Sequence, residues 1–401
     1  MKIVHVYKDY HPPVLGGVEQ TIERLAHGQV AAGHDVTVIV SASGGRRTFT
    51  ENVGGVRVVR VGEWGRALSS PICPGFPAAI ARTRADLWHL HSPNPLGEAS
   101  YAWVRPAGAL VITFHCELTR QRAFLPVYAP LMRHLFRRAD ALQTTSPQAL
   151  ARTDSLVTPF RDRFRVVPSG IDAEPLLVLD RDRPGARALR ARFGDPFLLF
   201  VGRLRYYKGL HVLLDAMPRI EARLVIVGEG PVGDALRTQA SRLGIGDRVH
   251  FAGRVSDAEL HDHLAAAGIG VLPSNTPTEA FGLALAEYMA AGLPVISTEL
   301  GTGTSYVNQD GETGLIVPAN DPAALAAGIG TLLADPALRA RMGAAGRVRV
   351  REKFTTEAMI RGMDRLYAEA LDRAGSRAPH PRPGPPGHPE IEVKDSPGPR
   401  R

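Results

Sequence analysis

Cysteine is almost missing from this sequence: Cys73 and Cys116 are the only two in 401 residues. They are too few and too far apart for a disulfide framework or a zinc site, which fits a reducing compartment. No apolar run approaches the roughly 20 residues that cross a bilayer. The opening MKIVHVYKDY reads as a first strand, because a cleaved signal needs a longer apolar region after its positive start. The chain is therefore expected in the cytoplasm. No GxxxxGK[ST] loop occurs, and no spaced-glycine dinucleotide fingerprint. Lysine is rare, arginine taking most of the basic positions, with a formal charge of +8 and a pI near 9.8. A balance of that sign suits nucleic acid or an anionic membrane face. No nucleic-acid motif accompanies it, so nucleic acid is not expected. Residues 120–138, RQRAFLPVYAPLMRHLFRR, mix bulky apolar side chains with Arg120, Arg122, Arg133, Arg137 and Arg138. That mixture suits either a helix lying on anionic headgroups or a domain helix with a solvated basic face.

Present throughout is an alternation of short β-branched runs with helical patterns. KIVHVY, DVTVIVS, VRVVRV, DLWHLHS, LVITFHC, ADALQTTS and FRVVPSG form one series, with VEQTIERLAHGQVAAG as an intervening helix stopped by Gly33. PFLLFVGRL, RLVIVGEG, RVHFAG, IGVLPS, PVIST and TGLIV form a second, with helices expected at 208–217, 231–243, 257–267 and 281–291. Such alternation predicts an α/β chain with two Rossmann-like, doubly wound domains. The seam falls at residues 172–185, where proline, glycine and charge interrupt the pattern. The expected division is 1–175 for the first domain, 185–354 for the second, and a helix at 355–373 packing back on the first. Residues 375–401 are proline- and glycine-rich and read as a disordered tail.

Doubly wound sheets bind ligands beyond the carboxyl ends of their strands, so the residues just after each strand carry the interest. After the first strand, Gly16 and Gly17 open a helix whose amides can approach an anion. After the first strand of the second domain comes VGRLRYYKG, where Lys208 stands beside Gly209 at a helix start. A cation there opposes the helix dipole, which becomes sensible when an anion lies between them, and Arg203 can reach the same anion. The most apolar third of the chain holds EAFGLALAE, with Glu279 in a loop and Glu287 in the helix that begins near Phe281 and Gly282. Eight residues apart is about 80° off alignment on a helix, so the two acids act separately. Carboxylates suit sugar and ribose hydroxyls, and the amides at the helix start add donors beside Glu279. His89 and His91 share one strand face and His115 ends another strand; with no third metal ligand evident, cleft lining is the expectation for the pair. His261 and His263 are expected at the surface. Asp180 and Asp182 form an Asp-x-Asp in the linker, but flanking arginines oppose a cation there, and no metal site is expected.

Taken together, GGVEQ at 16–20, VPSGID at 167–172, VGRLRYYKG at 201–209, VGEGP at 227–231, FAGRVSDAEL at 251–260 and EAFGLALAEYMAAGLPVIST from Glu279 resemble the retaining glycosyltransferases of family 4. The match runs nearly to residue 373. It implies the GT-B fold, two facing Rossmann-like domains with a cleft between them. It further implies that Arg203 and Lys208 hold a donor diphosphate approached by Gly16 and Gly17 from the first domain. Glu279, with Phe281, Gly282 and Leu283, would hold the transferred sugar, Glu287 the ribose, and Val255 would border the base. His115 stands where such enzymes carry a histidine near the reacting centre, here followed by Cys116 and Glu117.

The family's retention of configuration implies same-face attack, with the departing phosphate taking the acceptor's proton and no resident cofactor. The segment ISTELGTGTSYVNQDGETGLIVPANDP resembles the mannosyl- and rhamnosyltransferase branch. That implies a nucleotide-sugar donor of the GDP-mannose type and a saccharide or lipid-linked oligosaccharide acceptor, with peripheral contact to an anionic membrane. A UDP-sugar-dependent transferase, an epimerase or phosphorylase on the same architecture, and a non-catalytic sugar-nucleotide-binding scaffold are the competing readings.

Overall fold

The short β-branched runs pair as two separate parallel sheets, because each is too apolar to face water on either side. The computed structural model describes residues 1–14, 16–67, 70–115, 125–151 and 156–376. Cys116, Glu117, the first five residues of the basic segment at 120–138 and the tail beyond Ser376 lie outside the described residues. The first sheet holds β1 (Lys2–Val6), β2 (Asp35–Ser41), β3 (Phe49–Val53) and β4 (Val56–Val61). After a small hairpin of β5 (Arg66–Ala67) and β6 (Ser70–Pro71), the chain returns to that sheet as β7 (Leu87–Ser92), β8 (Ala109–Phe114), β9 (Ala141–Thr144) and β10 (Phe164–Val166). The second sheet holds β11 (Leu198–Val201), β12 (Leu224–Val227), β13 (Val249–Gly253), β14 (Ile269–Leu272), β15 (Val295–Glu299) and β16 (Gly314–Pro318).

Strand order is β10-β9-β8-β7-β1-β2-β4-β3 in the first sheet and β13-β12-β11-β14-β15-β16 in the second. All named pairs in them are parallel except the edge pair of β3 with β4. The order reverses between β1 and β7 in one sheet and between β11 and β14 in the other. Those switch points are where strand exits splay apart and leave a crevice for a ligand. The sequence pattern missed β3, whose half-exposed FTENV is too polar to register as a strand.

Helices in the first half are α1 (Gly17–Ala31), α2 (Phe76–Arg82), α3 (Pro95–Val104), α4 (Leu125–Arg138) and α5 (Pro147–Ala151). After the seam come α6 (Glu174–Leu177), α7 (Pro184–Phe193), α8 (Leu210–Ala216), α9 (Gly233–Arg242), α10 (Asp257–Ala266), α11 (Leu283–Ala290), α12 (Thr304–Val307), α13 (Pro322–Ala334), α14 (Pro336–Lys353) and α15 (Thr356–Gly375). Three of the expected helices, α9 and two with glycine caps, start two residues late; of the latter, α8 follows a 3-10 turn at Tyr206–Lys208, and α11 follows Gly282. Both caps are glycines with positive φ, +68° at Gly209 and +81° at Gly282, a conformation that other residues adopt at a cost.

The last helix crosses back to the first sheet. Met359, Met363, Leu366, Tyr367 and Ala370 recur on one face of α15 and bury against Ile3, Leu87, Ala109 and Val111. Each large apolar side chain so buried contributes about 1.5–3 kcal/mol. In α4 the apolar stripe of Tyr128, Met132, Leu135 and Phe136 is likewise turned into the core, leaving Arg133 and Arg137 outward. Its described part is thus a domain helix with a basic outer face. His263, expected at the surface, is buried instead, its Nδ1 2.7 Å from the Glu259 carbonyl oxygen one helical turn earlier.

One buried acid gives a test of these contacts. Glu98, in the first turn of α3, takes the Asn94 amide on Oε1 at 3.1 Å, and burial pushes its pKa up to about 7 against the Tyr128 and Ser92 hydroxyls that favour the charge. Between pH 4.5 and 7 the unfolded chain releases a proton that the folded protein keeps, so stability falls as pH rises through that window. Glu98→Gln is expected to raise stability at pH 8 by on the order of 3 kcal/mol and to change little at pH 4. Denaturant titrations at both pH values check it; an equal effect at the two would show that the charge is not responsible.

Candidate active site

Lys208 leaves the β11 exit and Glu279 leaves the β14 exit, so the two flank the switch point of the second sheet. Gly209 makes their meeting possible: a Cβ there would sit 1.8 Å from the Pro273 carbonyl oxygen. Any other residue would push the Lys208 turn off the β14 exit. The Asn275 amide bonds the Tyr207 carbonyl at 2.9 Å, fastening one loop to the other. As a result Lys208 Nζ lies 2.6 Å from Glu279 Oε2, both side chains nearly buried. Burial by itself would lower the lysine pKa, but the charge of Glu279, joined by Tyr207 and Glu287, outweighs it and raises the value. Lys208 is a held cation.

The counter-charge that meets Lys208 in the fold is a carboxylate of the chain itself. Ser274 Oγ donates to the same Glu279 oxygen at 3.0 Å, and Thr302 Oγ1 donates to the Glu279 carbonyl at 2.7 Å. Phe281 is buried, and Gly282 has Leu272, Leu285 and Thr304 within 3.3 Å of where a Cβ would stand. Tyr288 fixes α11 from below: its hydroxyl accepts the Val201 amide at 2.6 Å, in space that the missing side chain of Gly270 leaves. That anchor sets the rotation of α11 and turns Glu287 toward the cleft, where burial raises its pKa against the fields of Arg24 and Lys208. Arg203 is exposed beside the same crevice, and Val255 packs half-buried on the core at the β13 exit.

From the first domain, Gly16 caps α1 in extended backbone and Gly17 opens it. A Cβ on Gly17 would lie 3.7 Å from the Leu283 side chain, so this turn meets the start of α11 across the cleft. Glu19, in the first turn of α1, is buried and its pKa is raised by that burial, with Lys8 and Arg203 among the cations that oppose the shift. Nothing in the sequence singled out Glu19, Ser274 or Thr302. Ser274 ends the IGVLPS run, and its position at a strand exit was the available signal.

His89 and His91 are fully buried and line a small cavity with Thr21, Ser169, Met363 and His115, which at 7% exposed is the nearest of the three to solvent. His5 joins them from β1, in register with His89, and ring nitrogens of His5, His89 and His91 lie within 4.8 Å of one another. That is a spacing for metal ligands. All six nitrogens of these rings, however, already have protein partners at 2.6–3.0 Å: each other, His115, Gln29, Thr113 and Tyr367. Asp180 and Asp182 are exposed at the α6–α7 connection, where Asp180 accepts the Asp182 amide and Arg190 pairs with Asp182.

Two doubly wound sheets whose switch-point loops hold an ammonium and carboxylates define a GT-B enzyme fold with a site for an anionic, hydroxyl-bearing ligand. Residues 15–175 match the family described as Glycosyltransferase Family 4, and residues 186–349 match Glycosyl transferases group 1. The chain is 35% identical to the D-rhamnosyltransferase WbpZ of Pseudomonas aeruginosa, over 88% of this chain and 92% of that protein. It is 32% identical to the O-antigen chain mannosyltransferase C of Escherichia coli, over 93% of this chain and 99% of that one. Among solved structures, the sucrose-phosphate synthase of Thermosynechococcus elongatus superposes with a TM-score of 0.76 at 25% identity, covering 92% of this chain and 99% of that one. The chain belongs to glycosyltransferase family 4, among relatives that include bacterial mannosyl- and rhamnosyltransferases, and is a glycosyltransferase. Among the described residues no helix is long and apolar enough to cross a membrane.

Proposed function

We propose that the enzyme transfers mannose or rhamnose from a GDP-linked donor to a growing bacterial polysaccharide on a lipid carrier, with retention of configuration. The observation that carries the reading is the Lys208–Glu279 pair across the β11/β14 switch point. An ammonium and a carboxylate side by side suit a ligand that is anionic at one end and hydroxylated at the other. On this reading Arg203 and Lys208 bind the diphosphate, which takes Glu279's place as the lysine's counter-charge and leaves that carboxylate to accept from sugar hydroxyls. The backbone of Phe281, Gly282 and Leu283 adds donors to the sugar, Glu287 binds the ribose, and Val255 borders the base. Gly16 and Gly17 approach the diphosphate from the opposite domain, with His115 near the reacting carbon.

Breaking the anomeric bond places charge on the leaving diphosphate, and cations preorganised in a dry crevice stabilise it. The departing phosphate takes the acceptor's proton on the same face, and the two side chains supply the charge that a divalent metal supplies in other sites. Contact with the membrane that carries the acceptor would come through charge, with Arg133 and Arg137 facing out of α4. The choice of sugar is supported by the named activities of the two relatives, and the guanine base rests on the resemblance of residues 296–322 to the mannosyl- and rhamnosyltransferase branch. Calorimetric titration with GDP and UDP tests the base: GDP is expected to bind at least tenfold tighter, a difference of about 1.4 kcal/mol. UDP binding tenfold tighter would overturn the guanine assignment. Incubation with radiolabelled GDP-mannose, GDP-rhamnose and UDP-glucose plus a bacterial lipid extract, with and without chelator, tests the sugar and the metal independence.

A further inference from the structure

Behind the cleft a continuous line of hydrogen bonds runs from His115 to the C-terminal helix. His115 Nε2 meets His91 Nδ1 at 3.0 Å, His91 Nε2 meets His5 Nδ1 at 3.0 Å, and His5 Nε2 meets Gln29 Oε1 at 2.8 Å. Gln29 Nε2 donates to the Tyr367 hydroxyl at 3.1 Å, which lies 2.7 Å from His89 Nδ1, and His89 Nε2 lies 2.6 Å from Thr113 Oγ1. His5, Gln29, His89 and Tyr367 are wholly buried and His91 nearly so. Of the rings in the line, His115 is the most exposed.

We propose that Gln29, acting through His5 and His91, sets the tautomer of His115 so that its Nδ1 lone pair faces the cleft. The inference rests on the reading of His115 as a group near the reacting centre. A neutral imidazole carries one proton, so a ring that donates from one nitrogen must accept at the other. With Gln29 Oε1 toward His5, the proton of His5 must sit on Nε2, leaving Nδ1 to accept. His91 must then donate from Nε2 and accept at Nδ1, and His115 must donate from Nε2. Each step follows from the one before, and the side-chain amide is the only member whose two ends differ chemically.

Two further observations support that sense of the line. Burial holds His5 and His115 well below the usual histidine range, and His89 and His91 likewise, so the rings are neutral and the one-proton rule applies to each. Lys8 is the cation whose charge bears on His115. A positive charge at the cleft end favours a lone pair there, and that is the polarity the amide imposes from the other end. Nδ1 of His115 has no hydrogen-bond partner among the described residues, which leaves it to accept from a sugar hydroxyl. Gln29, His5 and His91 are positioning residues, out of reach of any substrate, and Tyr367 brings α15 into the same network by accepting from the amide's Nε2.

Two-bond proton–nitrogen spectra of protein labelled with 15N-histidine, assigned by single His→Gln variants, read each tautomer directly. In the wild type His5, His91 and His115 are expected neutral at pH 7 with the proton on Nε2. In Gln29→Met, similar in size but without the amide, His115 is expected to show both tautomers, with turnover lowered by about tenfold. In a His115→Ala background Gln29→Met is expected to cost nothing more. Should Gln29→Met fail to fold, Tyr367→Phe removes one hydroxyl and is expected to loosen the His89 and His115 tautomers together. A proton on His115 Nδ1 in the wild type, a His115 tautomer unmoved by either variant, or stoichiometric zinc uptake lost in His5→Gln would overturn the proposal. Normal transfer by His115→Ala would refute the cleft role of that residue, and the tautomer spectra would still decide the relay.

Discussion

Arg203→Ala is expected to lower turnover by two or more orders of magnitude while leaving the melting temperature unchanged. Arg203 is exposed and has no ion pair among the described residues, so its removal takes little from the fold beyond its field on Glu19. In the proposed mechanism it removes roughly 3 kcal/mol of stabilisation from a diphosphate gaining charge, which corresponds to that loss of rate. Lys208→Ala is expected to lose as much activity, but with a second effect. Among the described residues it leaves Glu279 buried with only the Ser274 hydroxyl as its side-chain partner, and an uncompensated buried charge costs several kcal/mol. Lys208→Ala should therefore also unfold earlier, and Arg203→Ala should not. Steady-state kinetics alongside thermal unfolding separates the two. Full turnover by folded Arg203→Ala would refute its place at the diphosphate.

Acid is expected to destabilise the first domain well before general acid unfolding. Burial lowers the His5 pKa from 6.5 to about 4 and that of His115 to about 3, with His89 and His91 also held low. Below pH 6.5 the unfolded chain binds protons that the folded line of rings refuses, so stability is fully present above 6.5 and is lost as pH falls toward 4. His5 alone accounts for about 3 kcal/mol by pH 4. Glu98 acts in the opposite sense over nearly the same window, so the clean measurement uses Glu98→Gln as the background. Denaturant midpoints of that variant are expected to drop steeply between pH 6.5 and 4.5, and His5→Gln in the same background is expected to flatten the drop. A midpoint constant across that range would show that the rings charge without penalty.

Lys208 beside Gly209 was legible because a cation at a helix start is electrostatically odd, and oddness of that kind shows in one dimension. Its partner was not legible. Glu279 lies 71 positions further on, and only the pairing of β11 with β14 brings the loops together. His89 and His91 showed their common strand face by spacing alone, whereas the small cavity they line beneath α1 and α15, and the Gln29 and Tyr367 side chains those helices bring to the histidine rings, were decided by packing. In α4, period 3.6 gave the helix, while which face meets the core was decided by packing.

By itself, then, the sequence determined the alternation of strand and helix, the two-sheet architecture, the family motifs and the chemical types at the strand exits. These follow from local rules: side-chain period, glycine at positive φ, and charge against a helix dipole act over a few residues. Tertiary structure alone decided that Lys208 meets Glu279, that Tyr288 sets the rotation of α11 from beneath β11, and that a glutamine on α1 and a tyrosine on α15 lie behind His115. Those contacts join residues tens to hundreds of positions apart, and their partners are chosen by strand order and by which helix face the core buries, neither of which leaves a local trace.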